Sequence, residues 1–375
     1  MTFSFIIPYR NREMARVRNC LQSIQNQYFK DFEIVFVDYG SDLPIKMQVE
    51  ELCGNYSQVN YFYFDVRYQL WSRAHAVNLG ISNSKGKFLI IVDIDLIYSP
   101  HFATVVHSQI DEDHFVQYQC YYLPENEHDY QNLDFNKPYP YRVSSVDMAA
   151  GLIAVPRKKM YVIGGFDEYF KVWGVEDLDL KKRLQAIGLS SKILSINQLA
   201  NFHQWHPSAA QEDLMPTLWL SAMEKYAKNK SLAPLPYLEK NNDFRRPTLD
   251  FINGKSIVGN FTFEYPTLQS FVKFAQLFYS LNSGEYLIVN QLFETIQVSK
   301  KSRLGGLFSK ANNLLEKVGI SYRITELFTF ETEIISYINI RDFLFYFIAE
   351  NKNYIADYLL DNTHLQQIKC ILLKA

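Results

Sequence analysis

The sequence predicts an α/β protein, in which a mostly parallel sheet with flanking helices is followed by a mainly helical second domain. Three observations support this fold class. Short β-rich runs alternate with amphipathic segments in the first part of the chain, which is typical of parallel sheets. Apolar residues recur at helical spacing in the last part. With 48% hydrophobic and 21% charged residues, the composition is that of a globular protein.

Six consecutive segments carry the alternation. We predict strands in FSFIIPY, FEIVFVDYG, VNYFYFD and KFLIIVDID, and helices in ARVRNCLQSIQNQ and SRAHAVNLGISNS. Ligands of such sheets bind at the carboxyl ends of the strands. The polar residues that follow the predicted strands are therefore the first candidates for function.

A stretch rich in proline and charge, NKSLAPLPYLEKNNDFRRPTLD, has no helical period and is typical of a linker. We therefore predict a first domain over residues 1–245 and an accessory, mainly helical domain over residues 246–375. Helices of the second domain are predicted in LQSFVKFAQLFYSL, YLIVNQLFETIQ, RITELFTFETEIISYI and RDFLFYFIAENKNYIADYLL.

Charge and composition narrow the possible partners. The formal net charge of −2 gives no bulk attraction to nucleic acid, which is not predicted as a partner. The four cysteines have no metal-type spacing, so we expect a reduced, cytoplasmic protein. Any membrane contact is predicted to be peripheral. The candidate for it is the basic amphipathic segment at 299–319, for which packing against a protein core is the alternative.

Two carboxylates, Asp93 and Asp95, close the apolar run FLIIVDIDL. On an extended backbone both side chains leave the same face, where together they suit a divalent cation bound to a diphosphate. The same D-x-D spacing begins at Asp111 and at Asp177, and strand ends often carry aspartate as a cap, so spacing alone is weak evidence. The buried strand before Asp93 favours metal binding.

Arginines and a glycine in other motifs suggest contacts with phosphate or substrate. IPYRNR brings Arg10 and Arg12 to the loop after the first strand, and arginine is a natural partner of phosphate. WSRAHAVNLG places Arg73 at the start of a helix, where capping and packing are the alternative. Gly151 would let a substrate approach the backbone, although a β-bulge would also explain it.

Two later motifs combine aromatic, acidic and imidazole side chains. In VWGVEDLDLKKRL, Trp173 precedes Glu176 and Asp177 at the start of an amphipathic helix. Acidic residues stabilise a helix N-terminus, but an aromatic residue beside a carboxylate also builds a sugar-binding wall with a proton acceptor. NFHQWHPS offers His203 and His206 as further metal ligands.

Taken in order, IPYRNR, RAHAVNLG, VDIDL, GGFDEYFKVWGVEDLDL and HQWHP resemble the beta-1,4-galactosyltransferase family and its bacterial relatives among the GT-A family 2 glycosyltransferases, over roughly residues 3 to 210. The resemblance implies an inverting hexosyltransferase. Such an enzyme moves Gal, GalNAc, GlcNAc or a similar sugar from a UDP-sugar to a glycan or lipid-linked acceptor. The implied setting is bacterial surface polysaccharide synthesis, in the cytoplasm or at the inner face of the membrane.

The resemblance also assigns roles. The nucleotide sugar would be bound by Pro8, Tyr9, Arg10, Arg12, Asp38, Arg73, Asp93 and Asp95. The acceptor would be bound by Gly151, Trp173, Gly174, Glu176 and Asp177, with Asp177 as the catalytic base and Glu176 beside it. The cation would be bound by Asp95, with Asp93, His206 and His203 as further candidates, and which histidine binds stays open. Because imidazole is softer than oxygen, this set favours Mn²⁺ over Mg²⁺.

Two positions depart from the family. Tyr39 stands where many family 2 members have a second acidic residue in contact with the base, and Met148 stands where the galactosyltransferases have an aromatic residue near the donor sugar. Two alternatives follow from the residues themselves. One is a sugar nucleotidyltransferase, which also sets carboxylates on a parallel sheet, and the other is a catalytically inert glycan-binding module.

Overall fold

The computed structural model describes residues 1–67, 69–125, 132–145, 152–170, 175–206, 226–227, 234–235, 237–238, 257–263, 268–292, 333–351, 353–364 and 367–375. The chain divides into two compact units, Met1–Thr248 and Leu249–Ala375. The predicted domains, 1–245 and 246–375, stay a prediction about independent folding and role.

The first unit is built on a seven-stranded sheet with the order β3-β2-β1-β4-β8-β6-β9. Its strands, with those of a smaller sheet, are β1 (Phe3–Tyr9), β2 (Phe32–Tyr39), β3 (Val59–Phe64), β4 (Phe88–Ile91), β5 (Leu96–Ile97), β6 (His114–Tyr118), β7 (Tyr121–Tyr122), β8 (Ile153–Pro156), β9 (Ser190–Leu194) and β10 (Phe202–His203). Its helices are α1 (Met14–Gln25), α2 (Leu43–Gly54), α3 (Arg73–Ser82), α4 (Phe102–Gln109), α5 (Arg157–Ile163) and α6 (Glu176–Ala186).

The pairing of the strands confirms the predicted mostly parallel sheet. Strand β1 lies parallel to β2 and β4, β2 lies parallel to β3, and β6 lies parallel to β9. Only β8 runs antiparallel to its neighbours β4 and β6. The carboxyl ends of β1 to β4 therefore lie along one edge of the sheet, where ligands of such sheets bind.

Helices cover both faces of this sheet, so its inner strands are buried throughout and mostly apolar. All residues of β1 and β2 are buried, as expected of strands covered on both faces. Phe5 and Ile7 belong to one apolar cluster with Leu21 of α1, whereas Ile6 belongs to a second cluster with Val77 of α3. The alternation along β1 thus fixes which helix lies on which face.

The first unit also contains a small three-stranded sheet with the strand order β5-β10-β7. Its strand β5 is the next strand after β4 in sequence. Strand β10 is antiparallel to β5 and pairs His203 with Leu96, which directly follows Asp95. This pairing brings His203 to the D-x-D segment, although the two are more than a hundred residues apart in sequence.

The second unit contains a four-stranded sheet, which differs from the prediction of a mainly helical domain. Its elements are β11 (Ile257–Phe261), α7 (Leu268–Ser280), β12 (Tyr286–Leu292), α8 (Glu333–Glu350), β13 (Ile355–His364) and β14 (Gln367–Lys374), with the strand order β11-β12-β14-β13. The residues at 286–292 and 355–360, predicted to be helical, lie instead in strands β12 and β13. Short apolar runs fit either structure, because period alone does not separate a buried strand from a short helix.

The basic amphipathic segment at 299–319 lies outside the described residues. Among the helices that the structure describes, none is both long enough and apolar enough to span a bilayer.

Candidate active site

The D-x-D carboxylates lie in a turn rather than on a strand. Strand β4 ends at Ile91, and the Leu96 N–H donates to the Asp93 carbonyl oxygen at 3.1 Å to close the turn. The prediction that both side chains leave one face of an extended strand is therefore wrong in its geometry. Asp93 and Asp95 have different partners instead.

Asp95 faces both histidines of the HQWH segment. His203 Nε2 lies 3.4 Å from Asp95 Oδ1, and His206 Nε2 lies 3.1 Å from Asp95 Oδ2. The three possible ligand atoms lie within 4.8 Å of one another. Burial alone would raise the pKa of Asp95, but the two histidines lower it to about 2. The carboxylate therefore stays ionised at neutral pH.

This cluster suits a divalent cation. Asp95 Oδ1 is buried and accepts no hydrogen bond from any residue that the structure describes. Burying such an oxygen costs free energy unless a partner, such as a bound cation, replaces the lost hydrogen bonds to water. One carboxylate and two imidazoles are a usual set for first-row metals. Of the four predicted metal ligands, the structure brings together Asp95, His203 and His206, and Asp93 is not a member of the cluster.

Asp93 is bound by Arg73, the first residue of α3. Arg73 Nε donates to Asp93 Oδ1 at 3.0 Å, and the η2 nitrogen lies 2.8 Å from the same oxygen. The η1 nitrogen donates to Asp177 Oδ1 at 2.8 Å. Ser72 caps the helix by accepting from the His75 N–H, which fixes the helix end that carries Arg73. Arg73 thus joins two carboxylates that the sequence assigned to the donor and to the acceptor.

Glu176 and Asp177 open helix α6. Val175, just before them, has φ 74°, a conformation rare for a β-branched residue and typical of strained functional segments. Burial, and then the Asp177 charge, raise the pKa of Glu176 to about 7. Burial also raises the pKa of Asp177, whereas Arg73 opposes the rise. The helix start therefore presents two carboxyl groups with raised affinity for protons.

The loops after β1 and β2 are tied to one another by Arg10. Its guanidinium donates to the carbonyl oxygens of Tyr39, Val66 and Gln69. Asn11 and Asp42 join the same loops, because the Asp42 N–H donates to Asn11 Oδ1 at 2.9 Å. These contacts shape the carboxyl edge, and a direct role of Arg10 in binding phosphate stays a prediction.

The other predicted nucleotide-sugar residues differ in exposure. Pro8 is buried within β1, and Tyr9 is buried with its hydroxyl donating to the Arg12 carbonyl oxygen at 2.6 Å. Arg12 itself is exposed. Asp38 is fully buried and accepts from the Ser41 N–H and the Tyr61 hydroxyl. Their roles toward a nucleotide stay predictions. The acceptor-binding roles of Gly151, Trp173 and Gly174 also stay predictions, because these residues, like Met148, lie outside the described residues.

One supporting residue was missed from the sequence. Gln204 is buried between the two histidines, and its N–H donates to the Asp95 carbonyl oxygen at 2.7 Å. Its side-chain amide accepts from Asn19 and donates to the Arg16 carbonyl oxygen, both on α1. A glutamine beside two histidines carries no distinguishing sequence signal, since its role depends on a helix that begins 190 residues earlier (Met14).

The first part of the chain is similar to known glycosyltransferases. Residues 4–170 match the family model described as Glycosyl transferase family 2. A protein of Rickettsia felis, named as an uncharacterized glycosyltransferase, is 28% identical over 124 residues, which are 33% of this chain and 20% of that protein. The chain thus spans about a fifth of the length of this curated relative.

Two solved structures are also similar. GalNAc-T7 with UDP, GalNAc and Mn²⁺ is 18% identical, with 60% of this chain and 50% of that chain covered and a TM-score of 0.45. S. aureus TarS 1–349 in complex with UDP is 15% identical, with 96% of this chain and 95% of that chain covered and a TM-score of 0.46. Residues 4–170 are thus similar to family 2 glycosyltransferases, and the mostly parallel sheet of this part of the chain is that of the GT-A fold.

Proposed function

We propose that the protein is an inverting, metal-dependent glycosyltransferase. It moves Gal, GalNAc, GlcNAc or a similar sugar from a UDP-sugar to a hydroxyl group of a glycan or lipid-linked acceptor. The family match supports the enzyme class. One observation carries the proposal: two sets of residues lie at the same edge of the sheet. The first is the cluster of Asp95, His203 and His206, and the second is Asp177 with its partner Arg73.

Asp177 is the proposed general base. Arg73 holds its Oδ1, no described residue bonds to its Oδ2, and 24% of the side chain is exposed. Oδ2 takes the proton of the acceptor hydroxyl while the hydroxyl oxygen attacks the anomeric carbon from the face opposite the diphosphate. The C–O bond to the diphosphate breaks as the new one forms, so the configuration inverts. A general base contributes typically about 10² to 10⁴ fold to such a reaction.

Asp95, His203 and His206 are the proposed cation ligands, and the two imidazoles favour Mn²⁺ over Mg²⁺. When bound, the cation neutralises charge that develops on the leaving diphosphate. Gln204 positions the ligands, because its backbone and side chain tie the histidine segment to Asp95 and to α1. Arg12, exposed in the loop after β1, is a proposed phosphate contact.

The motif resemblance alone supports the finer parts of the proposal. These are the beta-1,4-galactosyltransferase-like acceptor region, the setting in bacterial polysaccharide synthesis, and a location in the cytoplasm or at the inner face of the membrane. Peripheral membrane contact through residues 299–319 rests instead on the basic amphipathic pattern of that segment. A basic amphipathic helix would bring the enzyme to lipid-linked acceptors.

The test measures UDP release from a panel of UDP-sugars, with glycan and lipid-linked acceptors, in Mn²⁺, Mg²⁺ or EDTA. We expect UDP release that depends on acceptor and cation, with inverted configuration in the product. Asp95→Asn should abolish it. Asp111→Asn is the matched control, because Asp111 begins another D-x-D and pairs with Lys192 before β6 begins, away from the carboxyl edge. Pyrophosphate release from a nucleoside triphosphate would indicate a nucleotidyltransferase, and glycan binding without turnover an inert module.

A further inference from the structure

The two aspartates of the D-x-D turn have different partners. Asp95 faces His203 and His206, whereas two nitrogens of the Arg73 guanidinium lie 2.8 and 3.0 Å from a single oxygen of Asp93. Arg73 neutralises that carboxylate within a site where its own side chain is only 13% exposed. A carboxylate so held competes poorly for a cation.

The same guanidinium holds the proposed base. Its η1 nitrogen donates to Asp177 Oδ1 at 2.8 Å, so a planar, rigid group spans the two carboxylates. The contact between Arg73 and Asp177 joins residues that are 104 positions apart in sequence. Arg73 lies at the start of α3 and Asp177 at the start of α6. The direction of Asp177 Oδ2 toward the acceptor hydroxyl is set by this contact, and Asp93 sets the angle of the guanidinium from its other side.

Resting on the proposed function, we propose that Asp93 and Arg73 are positioning residues that aim Asp177 at the acceptor, and that Asp93 is not a ligand of the cation. The D-x-D turn then serves two halves of the reaction. Asp95 belongs to the cation site on the donor side, and Asp93 belongs to the base on the acceptor side.

The first test reads the ligand set with Co²⁺ alone, whose visible absorption spectrum depends on the coordinating atoms. Asp93→Asn, saturated with Co²⁺, should keep the wild-type spectrum, as should the Asp111→Asn control. Asp95→Asn and His203→Ala should lose or change it. A changed spectrum for Asp93→Asn would overturn the assignment. Spectra rather than affinities decide, because loss of a nearby charge weakens cation binding even without coordination.

The second test separates catalysis from donor binding. Misplacing a catalytic group by about 1 Å costs about 10²-fold, so Asp93→Asn should lower kcat by that order, with the donor KM changed by less than about threefold. Arg73→Lys keeps the charge but not the planar fork, so it should recover part of the activity that Arg73→Gln loses. A raised donor KM with unchanged kcat would overturn the positioning role.

The two tests also separate this inference from the proposed function. If no UDP-sugar is consumed by the wild type, the proposed function fails, while the Co²⁺ spectra still decide whether Asp93 coordinates. If the wild type shows no Co²⁺ spectrum but transfers sugar, metal dependence fails, and the kcat of Asp93→Asn decides the positioning role. Urea denaturation of each variant identifies any loss of activity that comes from unfolding.

Discussion

Replacement of Arg183 by methionine should destabilise the first unit strongly. Arg183 Nε donates to Asp179 Oδ2 at 2.7 Å, and the two side chains are only 3% and 1% exposed. The η1 nitrogen donates to the carbonyl oxygens of Gly165 and Ile163 at 2.7 and 3.2 Å. Arg183→Met leaves a buried carboxylate without its charge partner and removes a donor from the Gly165 carbonyl, whereas the Ile163 carbonyl still accepts from the Leu235 N–H at 3.0 Å.

Removing one member of a buried ion pair costs about 3 to 5 kcal/mol, and we expect Arg183→Met to fall in that range. The matched control is Lys46→Met, because Lys46 and Glu50 form an ion pair of the same i,i+4 spacing on helix α2, where Glu50 is 51% exposed. An exposed pair of this kind contributes about 0.3 to 0.5 kcal/mol. Because both ion pairs have the same spacing, the difference between the two losses of stability reports the effect of burial.

The assay is urea unfolding followed by fluorescence and far-ultraviolet circular dichroism. Coincident transitions are required before a free energy of unfolding is taken from them. The double variant with Asp179→Leu and Arg183→Met should recover part of the loss, because no unpaired charge remains. A loss for Arg183→Met no larger than that for Lys46→Met would refute the reasoning.

Three further outcomes are expected. Asp177→Asn should lower the transfer rate by about 10² to 10⁴ fold while donor binding, measured by calorimetry, is kept; unchanged turnover would remove Asp177 from the role of base. The pKa of Glu176 rises from 4.5 to about 7 on folding, so the folded state holds the proton more tightly. Stability from this group is therefore present below pH 4.5 and is lost as the pH rises to about 7, and Glu176→Gln should remove that slope from unfolding measured across this range. Gly165→Ala should lower the free energy of unfolding more than Gly188→Ala, because both glycines have positive φ (86° and 90°) but an added Cβ meets a side-chain oxygen at 2.5 Å only at Gly165. Equal losses at the two glycines would contradict the close contact.

The sheet and its carboxyl edge could be predicted from local sequence. Buried parallel strands are continuous apolar runs, and β1, β2 and β4 each stand out in that way. The strands of the second unit could not be predicted, because the run at 286–292 is short and its pairing with β14 joins residues about 80 positions apart. The turn after Ile91 was also missed, since extended and turned backbone give the same D-x-D letters.

The sequence predicts which residues belong to the site, but it does not predict which of them contact one another. Motif order indicated Asp95, His203 and His206, which lie together. The motif resemblance assigns both Arg10 and Arg73 to the nucleotide sugar. In the structure Arg10 binds three backbone carbonyls, whereas Arg73 binds two carboxylates. Which acceptor an arginine meets depends on helices distant in sequence.

In both D-x-D motifs at this site the two aspartates have different partners, and the physical reason differs between the motifs. Asp93 and Asp95 are separated by a turn, whereas Asp177 and Asp179 lie on a helix, where positions two apart point to nearly opposite sides. Asp177 therefore reaches Arg73 while Asp179 is buried against Arg183.

Helices α3 and α6, which carry Arg73 and Asp177, both make hydrogen bonds to the turn at Gly165 and Phe166. Arg183 of α6 donates to the Gly165 carbonyl oxygen, and Asn78 of α3 exchanges two hydrogen bonds with the backbone of Phe166, at 2.8 and 3.0 Å. The helix that carries Arg73 and the helix that carries Asp177 are thus fixed to adjacent residues of the same turn. A change at Gly165 should therefore lower kcat as well as stability, since it shifts the two helices on which the Arg73 to Asp177 contact depends. Unchanged kcat in a folded Gly165→Ala protein would show that the contact is set by the site alone.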